Sequence, residues 1–543
     1  MDEVFDYVVI GAGSAGSVLA GRLSEGGQHQ VCVLEAGGAD DTPLVQCPAG
    51  IAGMAKAPRL NWAMQTVPQA GLNGRCGYQP RGKVLGGSSS INAMIYLRGQ
   101  PQDYDHWAAQ GNPGWAWEEV QPWFLKAEHN ERGAGDFHAA GGPLNVADLL
   151  QPNSLSQDFV EAGVQAGFVR NPDFNGRSQE GVGLYQVTQK NGERCSAAKA
   201  YLTPHLARPN LQVRTGAQVL RIVLAATADG LRATGVEYLR AGVRHTVHAR
   251  REVLLSAGAL QSPQILMLSG VGPAPHLTQV GVQVLRHLPG VGENLHDHLD
   301  ALLVADAPGL TQSFGLSAAG MMHMAQGAWQ WHSKRTGRLT TNFAEAGAFL
   351  KSSPEEATPD LQLHFVVAKL IDHGRQTVWG HGFSCHACVL RPQSRGTVRL
   401  RSADPLTLPA IDPNFLAVED DLQRTVQGVQ IMRRILAQPA LARHGAQELP
   451  HSASAQTPAQ IAQWVRQAAD TIYHPVGTCR MGTAPMDVVD SQLRVHGVRG
   501  LRVVDASIFP RIPSGNTNAP TIMVAEKAAH MVLSAAQSEI AVA

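Results

Sequence analysis

Hydrophobic positions along the chain switch between short apolar runs and helix-spaced patterns, most regularly at its start. Residues 6–10 (DYVVI) and 31–37 (VCVLEAG) predict two buried strands. Between them, 14–27 (SAGSVLAGRLSEGG) carries apolar residues at helical spacing and ends in two glycines, which predicts a helix and its C-terminal stop. This order predicts a βαβ unit, whose parallel strands belong to a sheet covered on both faces.

Strand and helix patterns recur in the middle of the chain and near its end. The residues 209–224 and 234–239 predict strands, 251–272 predicts a strand followed by a helix that opens with Ser262 and Pro263, and 501–507 predicts a late strand before a helix from about Thr521. The stretches between these patterns are less regular.

The spacing of the patterns predicts an α/β fold with two domains. A discontinuous Rossmann-type domain that binds the cofactor is predicted over residues 1–155, 196–300 and 470–543. An inserted α+β domain that binds the substrate, built on an antiparallel sheet, is predicted over 156–195 and 301–469. A chain of 543 residues is also too long for one ordinary hydrophobic core.

Composition and charge exclude several classes of protein. The formal net charge is zero, which gives no attraction to nucleic acid or to an acidic membrane surface. Seven cysteines in a chain this long do not form a disulfide framework. Cys385 and Cys388 form a single C-x-x-C beside His381 and His386, but the second cysteine pair of a zinc site is missing. We therefore predict no metal and assign 384–392 (SCHACVLRP) to a buried strand.

The N-terminus and the hydropathy of the chain bear on its location. The first residues, MDEVFDYVVI, are acidic and enter a strand pattern at once, unlike a secretory signal. No run of about 18 apolar residues is present, so no spanning helix is predicted. The prediction is a cytoplasmic protein, with peripheral contact at the inner membrane left open.

The residues that join the first predicted strand to the first predicted helix, 11–16 (GAGSAG), match G-x-G-x-x-G. In such a loop Gly11 permits a tight turn, Gly13 lets the backbone approach a pyrophosphate, and Gly16 lets helix and strand pack closely. Glu35 ends the next strand, where a ribose hydroxyl needs an acceptor. The sequence therefore predicts a dinucleotide site and disfavours NADP, which leaves NAD and FAD.

Four further segments carry a resemblance to a known family. They resemble the two signatures and the two active-site segments of the glucose–methanol–choline oxidoreductases, in the family's order: 82–94 (GKVLGGSSSINAM), 258–272 (GALQSPQILMLSGVG), 473–482 (YHPVGTCRMG) and 514–523 (SGNTNAPTIM). The resemblance runs from residue 4 to about residue 535 and is strongest to bacterial choline dehydrogenase-like alcohol dehydrogenases. It implies an FAD enzyme.

The resemblance also implies which residues contact FAD. Ile91 stands where some choline-oxidising relatives carry a histidine that bonds covalently to the flavin, so FAD is expected to be held non-covalently. The expected contacts are Gly11, Gly13, Ser14, Gly16, Glu35, Ala36, Gly87, Ser88, Asn92, Ala93, Val219, Asp505, Ala506 and Asn518.

Oxidising an alcohol requires a base for the hydroxyl proton and a polar group that holds the oxygen while a hydride passes to flavin N5. Histidine has a suitable pKa. The resemblance assigns the base to His474 in the H-P-V-G motif and the orienting group to Asn518, with Asn516 as the competing asparagine. Cys479 and Met481 are then expected to pack beneath the loop rather than bind a metal.

The substrate and the electron acceptor are less defined by the sequence. A neutral primary alcohol, aliphatic or aryl, is the first choice, with electrons passed to a quinone, a dye or O2. Choline would need a cation site, for which Glu345, Phe343 and Trp62 are candidates, although a structural role for Glu345 is favoured. A lyase with a redox-silent flavin and a non-catalytic FAD-binding protein are the remaining alternatives.

Overall fold

The structure is a computed structural model that describes residues 3–542, with side chains described for 3–537. The strands are β1 Glu3–Ile10, β2 Val31–Leu34, β3 Met64–Gln65, β4 Tyr78–Gln79, β5 Glu128–Asn130, β6 Leu144–Val146, β7 Gly181–Leu184, β8 Gln189–Lys190, β9 Glu193–Arg194, β10 Leu211–Arg214, β11 Ala217–Thr227, β12 Gly230–Arg240, β13 Val243–Leu255, β14 Val271–Gly272, β15 Arg286–His287, β16 Leu299–Asp306, β17 Ala344–Leu350, β18 Leu361–Val366, β19 Gly382–Val389, β20 Thr397–Arg399, β21 Ala410–Asp412, β22 Gln447–Glu448, β23 Asp470–Thr471, β24 Val498–Arg499 and β25 Leu501–Val503.

The α-helices range from single turns to the long C-terminal helix. They are α1 Ser14–Leu23, α2 Pro43–Gln46, α3 Ile51–Met54, α4 Pro101–Ala109, α5 Trp117–Ala127, α6 Ser154–Gln165, α7 Ser262–Leu268, α8 Ala274–Gln279, α9 Ala318–Lys334, α10 Glu419–Leu436, α11 Pro439–Ala442, α12 Pro450–Ala453, α13 Pro458–Ala468 and α14 Asn518–Val542. Among the described residues, no helix combines the length and the apolar composition needed to cross a bilayer.

The first large sheet contains the predicted βαβ unit. Its strand order is β10-β2-β1-β13-β12-β11, with β25 paired to β13 and β24 to β12. The pairs around β1 and β2 are parallel, whereas β11, β12 and β13 form an antiparallel meander. The strands β1 and β2 are buried where they pair, and α1 and α14 share their hydrophobic core. The predicted strand, helix and strand at the start of the chain are thus confirmed.

The second large sheet is antiparallel, as predicted, with strand order β22-β16-β19-β18-β17-β7 and β23 paired to β16. Alternate side chains of β16, β18 and β19 pack under α6, α10 and α13 in a second core. The residues between them, including Asp300, Gln362, His364 and His386, therefore point to the opposite face. This face turns towards the first sheet.

The two sheets bear on other expectations from the sequence. The α/β class and the pairing of a Rossmann-type sheet with an antiparallel one are confirmed. The residue boundaries of the two domains stay a prediction, since β16 and β23 reach slightly past the predicted limits at 300 and 470. Cys385 and Cys388 lie on β19, a fully buried strand, where their odd spacing directs them to opposite faces.

Candidate active site

A cavity of about 700 Å³ lies between the two sheets. One end is lined by the glycine loop that follows β1 and by the loops after β2 and β13. The other end is lined by side chains of the antiparallel sheet, among them His364 and His386. Loops at the carboxyl ends of parallel strands are where open α/β sheets bind ligands, so the cavity occupies the expected place.

The glycine loop is shaped for close backbone approach. Gly11 has φ +91°, and a Cβ there would lie 2.6 Å from the Ser256 carbonyl oxygen. A Cβ on Gly16 would lie 1.8 Å from the Gly11 carbonyl oxygen, so α1 can follow the turn only with glycine at that position. Gly13, in contrast, faces the cavity at the start of α1, and none of the described side chains caps this helix N-terminus. Its free N–H groups form an anion site.

A second glycine-rich loop closes against the first. A Cβ on Gly87 would lie 2.8 Å from the Gly13 Cα, so the two loops touch backbone to backbone. Beside Gly87, the side-chain oxygen of Asn92 accepts hydrogen bonds from the Met94 N–H at 3.0 Å and from Arg194 at 2.9 Å. These bonds hold the second loop along the cavity, where it meets the first loop through backbone atoms.

Glu35 is buried at the end of β2. Its two carboxylate oxygens accept hydrogen bonds from the Ala12 N–H at 2.9 Å and the Gly37 N–H at 2.7 Å. Burial raises the pKa of Glu35, and these backbone bonds oppose that shift. The carboxylate therefore lies fixed beside the glycine loop and lines the cavity, where it can accept a bond from a ribose hydroxyl.

Asp505, which follows β25, is a second buried carboxylate that is held by hydrogen bonds from a neighbouring loop. It accepts hydrogen bonds from the Gly258 N–H at 2.8 Å and from the Ser262 hydroxyl at 2.5 Å. It thereby ties the late segment to the start of α7. The expected cofactor contacts that line the cavity are Gly11, Gly13, Ser14, Glu35, Ala36, Gly87, Ser88, Asn92, Ala93, Val219, Asp505, Ala506 and Asn518, whereas Gly16 packs behind the loop.

The glycine cradle, the uncapped helix N-terminus and the buried carboxylate fit the ADP half of FAD. Each supplies a feature that such a ligand requires: room for a pyrophosphate, donors for its charge, and an acceptor for a ribose.

His474 lies deep in the same cavity, at the end of the loop that follows β23. The His474 N–H donates to an Asp297 carboxylate oxygen at 2.8 Å, which fixes the backbone of the loop. The residue is 7% exposed, and its ring meets that of His298 edge-on, with centroids 5.2 Å apart.

Hydrogen bonds on the His298 side define the tautomer of His474. His298 Nε2 lies 2.9 Å from the Leu390 carbonyl oxygen, which can only accept, so Nε2 carries the proton. In neutral His298, Nδ1 is then an acceptor. His474 Nδ1 lies 3.1 Å from it and must donate, which leaves His474 Nε2 as the unprotonated, accepting nitrogen.

Hydrogen bonds on the Asn516 side of His474 require the same tautomer of His474. The Tyr185 hydroxyl donates to the Leu363 carbonyl oxygen at 2.6 Å, so its oxygen accepts from Gln362 Nε2. The same amide nitrogen donates to Asn516 Oδ1 at 3.1 Å, which turns Asn516 Nδ2 towards His474 Nε2, 3.1 Å away. Both chains of bonds therefore make Nε2 the acceptor.

The asparagine that meets His474 is thus Asn516 and not Asn518, to which the sequence assigned the orienting role. Asn518 is the first residue of α14, and its side-chain oxygen accepts a hydrogen bond from the Ser14 hydroxyl at 2.7 Å. The helix begins three residues earlier than predicted, and its first turn faces α1 and the glycine loop. Asn518 consequently lies on the cofactor side of the cavity.

Burial sets the protonation of the histidines around this pair. It lowers the pKa of His474 well below 6.5, and the nearby His298, His364 and Arg81 lower it further. Burial also lowers the pKa of His298 to about 4 and, with His386, that of His364 to about 3. All three rings are neutral at pH 7, and His474 Nε2 is therefore available as a base.

These shifts predict that the three histidines contribute a loss of stability in acid, whereas the buried carboxylates Glu35, Asp297 and Asp505, whose pKa values are raised, act in the opposite direction. In the unfolded chain a histidine binds a proton near pH 6.5. The native pKa values are lower, so the unfolded state binds more protons as the pH falls below 6.5, and stability is lost from there downward. A shift to about 4 for His298 alone corresponds to a loss on the order of 3 kcal/mol at pH 4. Chemical denaturation from pH 7 to pH 4 measures this, and His364→Leu should flatten the slope. Equal slopes in the wild type and in His364→Leu would contradict it.

Among the residues that the structure describes, the far wall of the cavity carries histidines and no acidic side chain. The acidic residues that line the cavity are Glu35 and Asp505, both at the cofactor end. Asp300 and His386 both lie on the antiparallel sheet, and Asp300 is hydrogen-bonded to His386 Nδ1. Of these two residues, His386 lines the cavity. The wall therefore offers imidazole groups to a substrate rather than a carboxylate.

Glu345 has the structural role that the sequence favoured. It is 1% exposed, and its carboxylate accepts bonds from the Asn153 N–H at 2.6 Å, the Ser156 hydroxyl at 2.8 Å and the Thr341 hydroxyl at 2.5 Å. With these donors its lone pairs are committed to the protein. Phe343 and Trp62 do line the cavity.

Several residues of the site were missed from the sequence. His298 and Asp297 belong to a polar cluster, 296–298 (HDH), immediately before β16, and this cluster was the available signal. Gln362 and His364 interrupt the apolar strand β18 at alternate positions, which indicates a strand with one polar face. Cys479 and Met481 are fully buried in the first core, as expected.

Fold and site together define a class, the FAD-dependent oxidoreductases that act on CH–OH groups. Two family profiles, both described as GMC oxidoreductase, match residues 5–300 and 392–525. The chain belongs to the GMC oxidoreductase family, in agreement with the resemblance of its motifs.

Individual relatives align with almost the whole length of this chain. The chain is 46% identical over 533 residues to an alcohol dehydrogenase [acceptor] of Pseudomonas putida, covering 98% of this chain and 96% of the relative. It is 42% identical to the mitochondrial choline dehydrogenase of Mus musculus, covering 98% and 89%. Among solved structures, pyridoxine 4-oxidase from Mesorbium loti superposes with a TM-score of 0.85 at 31% identity, covering 97% and 98%.

Proposed function

We propose that this protein oxidises a neutral primary alcohol, aliphatic or aryl, to the aldehyde, and passes the electrons to a quinone or another acceptor that is not NAD. The observation that carries the proposal is the His474 Nε2 lone pair, which faces Asn516 Nδ2 at 3.1 Å inside the cofactor cavity. The name of the Pseudomonas putida relative, alcohol dehydrogenase [acceptor], supports this reaction type.

His474 and Asn516 have different roles in the proposed alcohol oxidation. Asn516 Nδ2 and His474 Nε2 are bonded directly at 3.1 Å, so the substrate hydroxyl takes the place of this bond: it donates its proton to His474 Nε2 and accepts a hydrogen bond from Asn516 Nδ2. His474 Nδ1 remains bonded to His298, so the ring keeps its orientation when it gains the proton. FAD, when bound, supplies the acceptor for the hydride that leaves the alcohol carbon. Asn516 has no basic nitrogen, and His474 therefore performs the proton transfer alone.

The charge of the cavity wall favours a neutral substrate over choline. A quaternary ammonium group needs aromatic faces together with a carboxylate or a similar negative group. Asp300 is hydrogen-bonded to His386 and does not itself line the cavity, and Glu345 is committed to three donors. Choline oxidation remains the alternative, since curated relatives at 42% identity carry the name choline dehydrogenase.

The experiment is anaerobic mixing of the FAD-loaded protein with a panel of alcohols while the flavin absorbance is followed. Aliphatic and aryl primary alcohols should bleach the flavin, and choline should do so much more slowly. Re-oxidation by quinone, dye and O2, measured separately, then identifies the acceptor. If no primary alcohol bleaches the flavin, the proposal fails; if choline alone does, the alternative replaces it.

We also propose that FAD is held without a covalent bond. Ile91 lines the cavity at the position that resembles the flavin-linking histidine of some relatives, and its side chain has no nucleophilic atom. Acid precipitation should leave the yellow FAD in the supernatant. Flavin that stays with the precipitated protein would show a covalent link.

A further inference from the structure

The helix α9 presents its apolar residues to solvent. Its inward positions are Gly320, Gly327 and Trp331, and a Cβ on Gly327 would lie 2.9 Å from Arg338 Cγ. The methionines of the helix lie outside this packed side: Met321, Met322 and Met324 are 56%, 66% and 41% exposed. Six of the exposed apolar positions follow helical spacing and share one side of the helix: Ala318, Met321, Met322, Ala325, Ala328 and Trp329.

This face continues onto a neighbouring loop. Met322 is 66% exposed and Trp329 is 63% exposed. Leu316, just before the helix, pairs with Trp379, which is 69% exposed. We call Leu316, Trp379 and the exposed face of α9 the α9 patch. Contiguous apolar surface of this kind marks an interaction site on a soluble protein.

The α9 patch borders an opening of the active-site cavity. Leu316 and Met324 both line the cavity and are exposed, at 37% and 41%. Phe314 and Val378 line it next to them. A ligand that leaves the apolar patch along these side chains therefore enters the cavity directly.

The charge around the α9 patch is positive. No acidic residue occurs between Asp306 and Glu345 in the sequence, whereas Lys334 and Arg338 follow the exposed face of the helix. Arg335, between them, is paired with Glu193 at 2.8 Å. The Lys334 ammonium lies 5.9 Å from the centre of the Trp329 ring, an arrangement of cation and aromatic ring that suits a lipid headgroup region. The local charge thus complements an anionic surface, although the net charge of the chain is zero.

We propose that the α9 patch docks on an anionic lipid bilayer, with α9 lying in the interface and the cavity opening directed into the lipid. The helix has the features of an interfacial helix: a broad apolar face with Met and Trp, and basic residues at one end. A second copy of the chain is a poorer occupant, because it would cover the cavity opening. The proposal is independent of which alcohol is oxidised.

Vesicle sedimentation of the FAD-loaded protein tests the docking. Wild-type protein should sediment with vesicles of phosphatidylcholine and phosphatidylglycerol, and much less with phosphatidylcholine alone. The double variant Met322→Glu/Trp329→Glu should bind at least about tenfold more weakly, because it places two charges in the buried face. Met486→Glu, which alters another exposed methionine, is the matched control and should bind like the wild type.

Two further measurements separate a docking defect from other causes. Retained FAD absorbance and melting temperature show that the double variant is folded. Lipids with brominated chains should quench tryptophan fluorescence in the wild type more than in Trp329→Phe. The proposal is overturned if wild-type protein stays in the supernatant, if the double variant binds normally, or if the double variant only converts a dimer to a monomer.

Discussion

Replacing His474 by alanine is expected to slow flavin reduction by a primary alcohol by about 10²–10⁴-fold, the usual contribution of a general base. The lone pair of Nε2 is the acceptor for the hydroxyl proton, and the other ring nitrogen is already committed to His298. Alanine removes this acceptor without touching the glycine loops. Stopped-flow measurement of flavin bleaching under anaerobic conditions gives the rate directly.

The His474→Ala protein should still contain FAD. Its visible spectrum and its FAD content per chain distinguish a chemical defect from a loss of cofactor. His451→Ala, at an exposed histidine, is the matched control and should reduce its flavin at the wild-type rate. A near-normal rate in the His474 variant would refute the assignment of the base.

Replacing Asn516 by alanine is expected to slow flavin reduction by about 10²-fold, comparable to the loss of one hydrogen-bond donor to a developing oxyanion. Asn518→Ala should instead weaken FAD binding, because the Asn518 amide contacts Ser14 beside the uncapped helix N-terminus. Reduction rates at saturating alcohol, together with the dissociation constant of FAD, separate the two effects.

The pair of variants also decides between two assignments. If Asn518→Ala impairs reduction more than Asn516→Ala while FAD stays bound, the role predicted from the sequence for Asn518 is restored. The conservative variant Asn516→His retains a hydrogen-bond donor and should recover part of the lost rate.

Local sequence signals were sufficient for the elements of the first sheet. The βαβ unit could be read from the apolar run of β1, the glycine loop and the apolar run of β2, because each signal lies within a few residues. The antiparallel sheet was harder to delimit, since its strands are collected from residues 181–471 and pair over long sequence separations.

The partners of His474 could not be read in the same way. Asn516 and Asn518 are two residues apart in one motif, and only the start of α14 decides which of them faces the histidine. His298 is 176 residues from His474, and its contact depends on how β16 meets the loop after β23. The choice of a tautomer then requires the bonds to Leu390 and Gln362, which no local pattern reveals.

The packing of α1 against α14 ties the beginning of the chain to its end. Arg22 on α1 bonds to the Glu526 carboxylate at 2.9 and 2.7 Å, Tyr201 bonds to the same carboxylate at 2.9 Å, and Ser14 bonds to Asn518. During synthesis, the glycine loop therefore leaves the ribosome about 500 residues before the helix that completes its surroundings. Such a long-range closure is slow to form. FAD can find its finished site only after translation has passed residue 518, so cofactor supply matters late in synthesis rather than when the glycine loop is made.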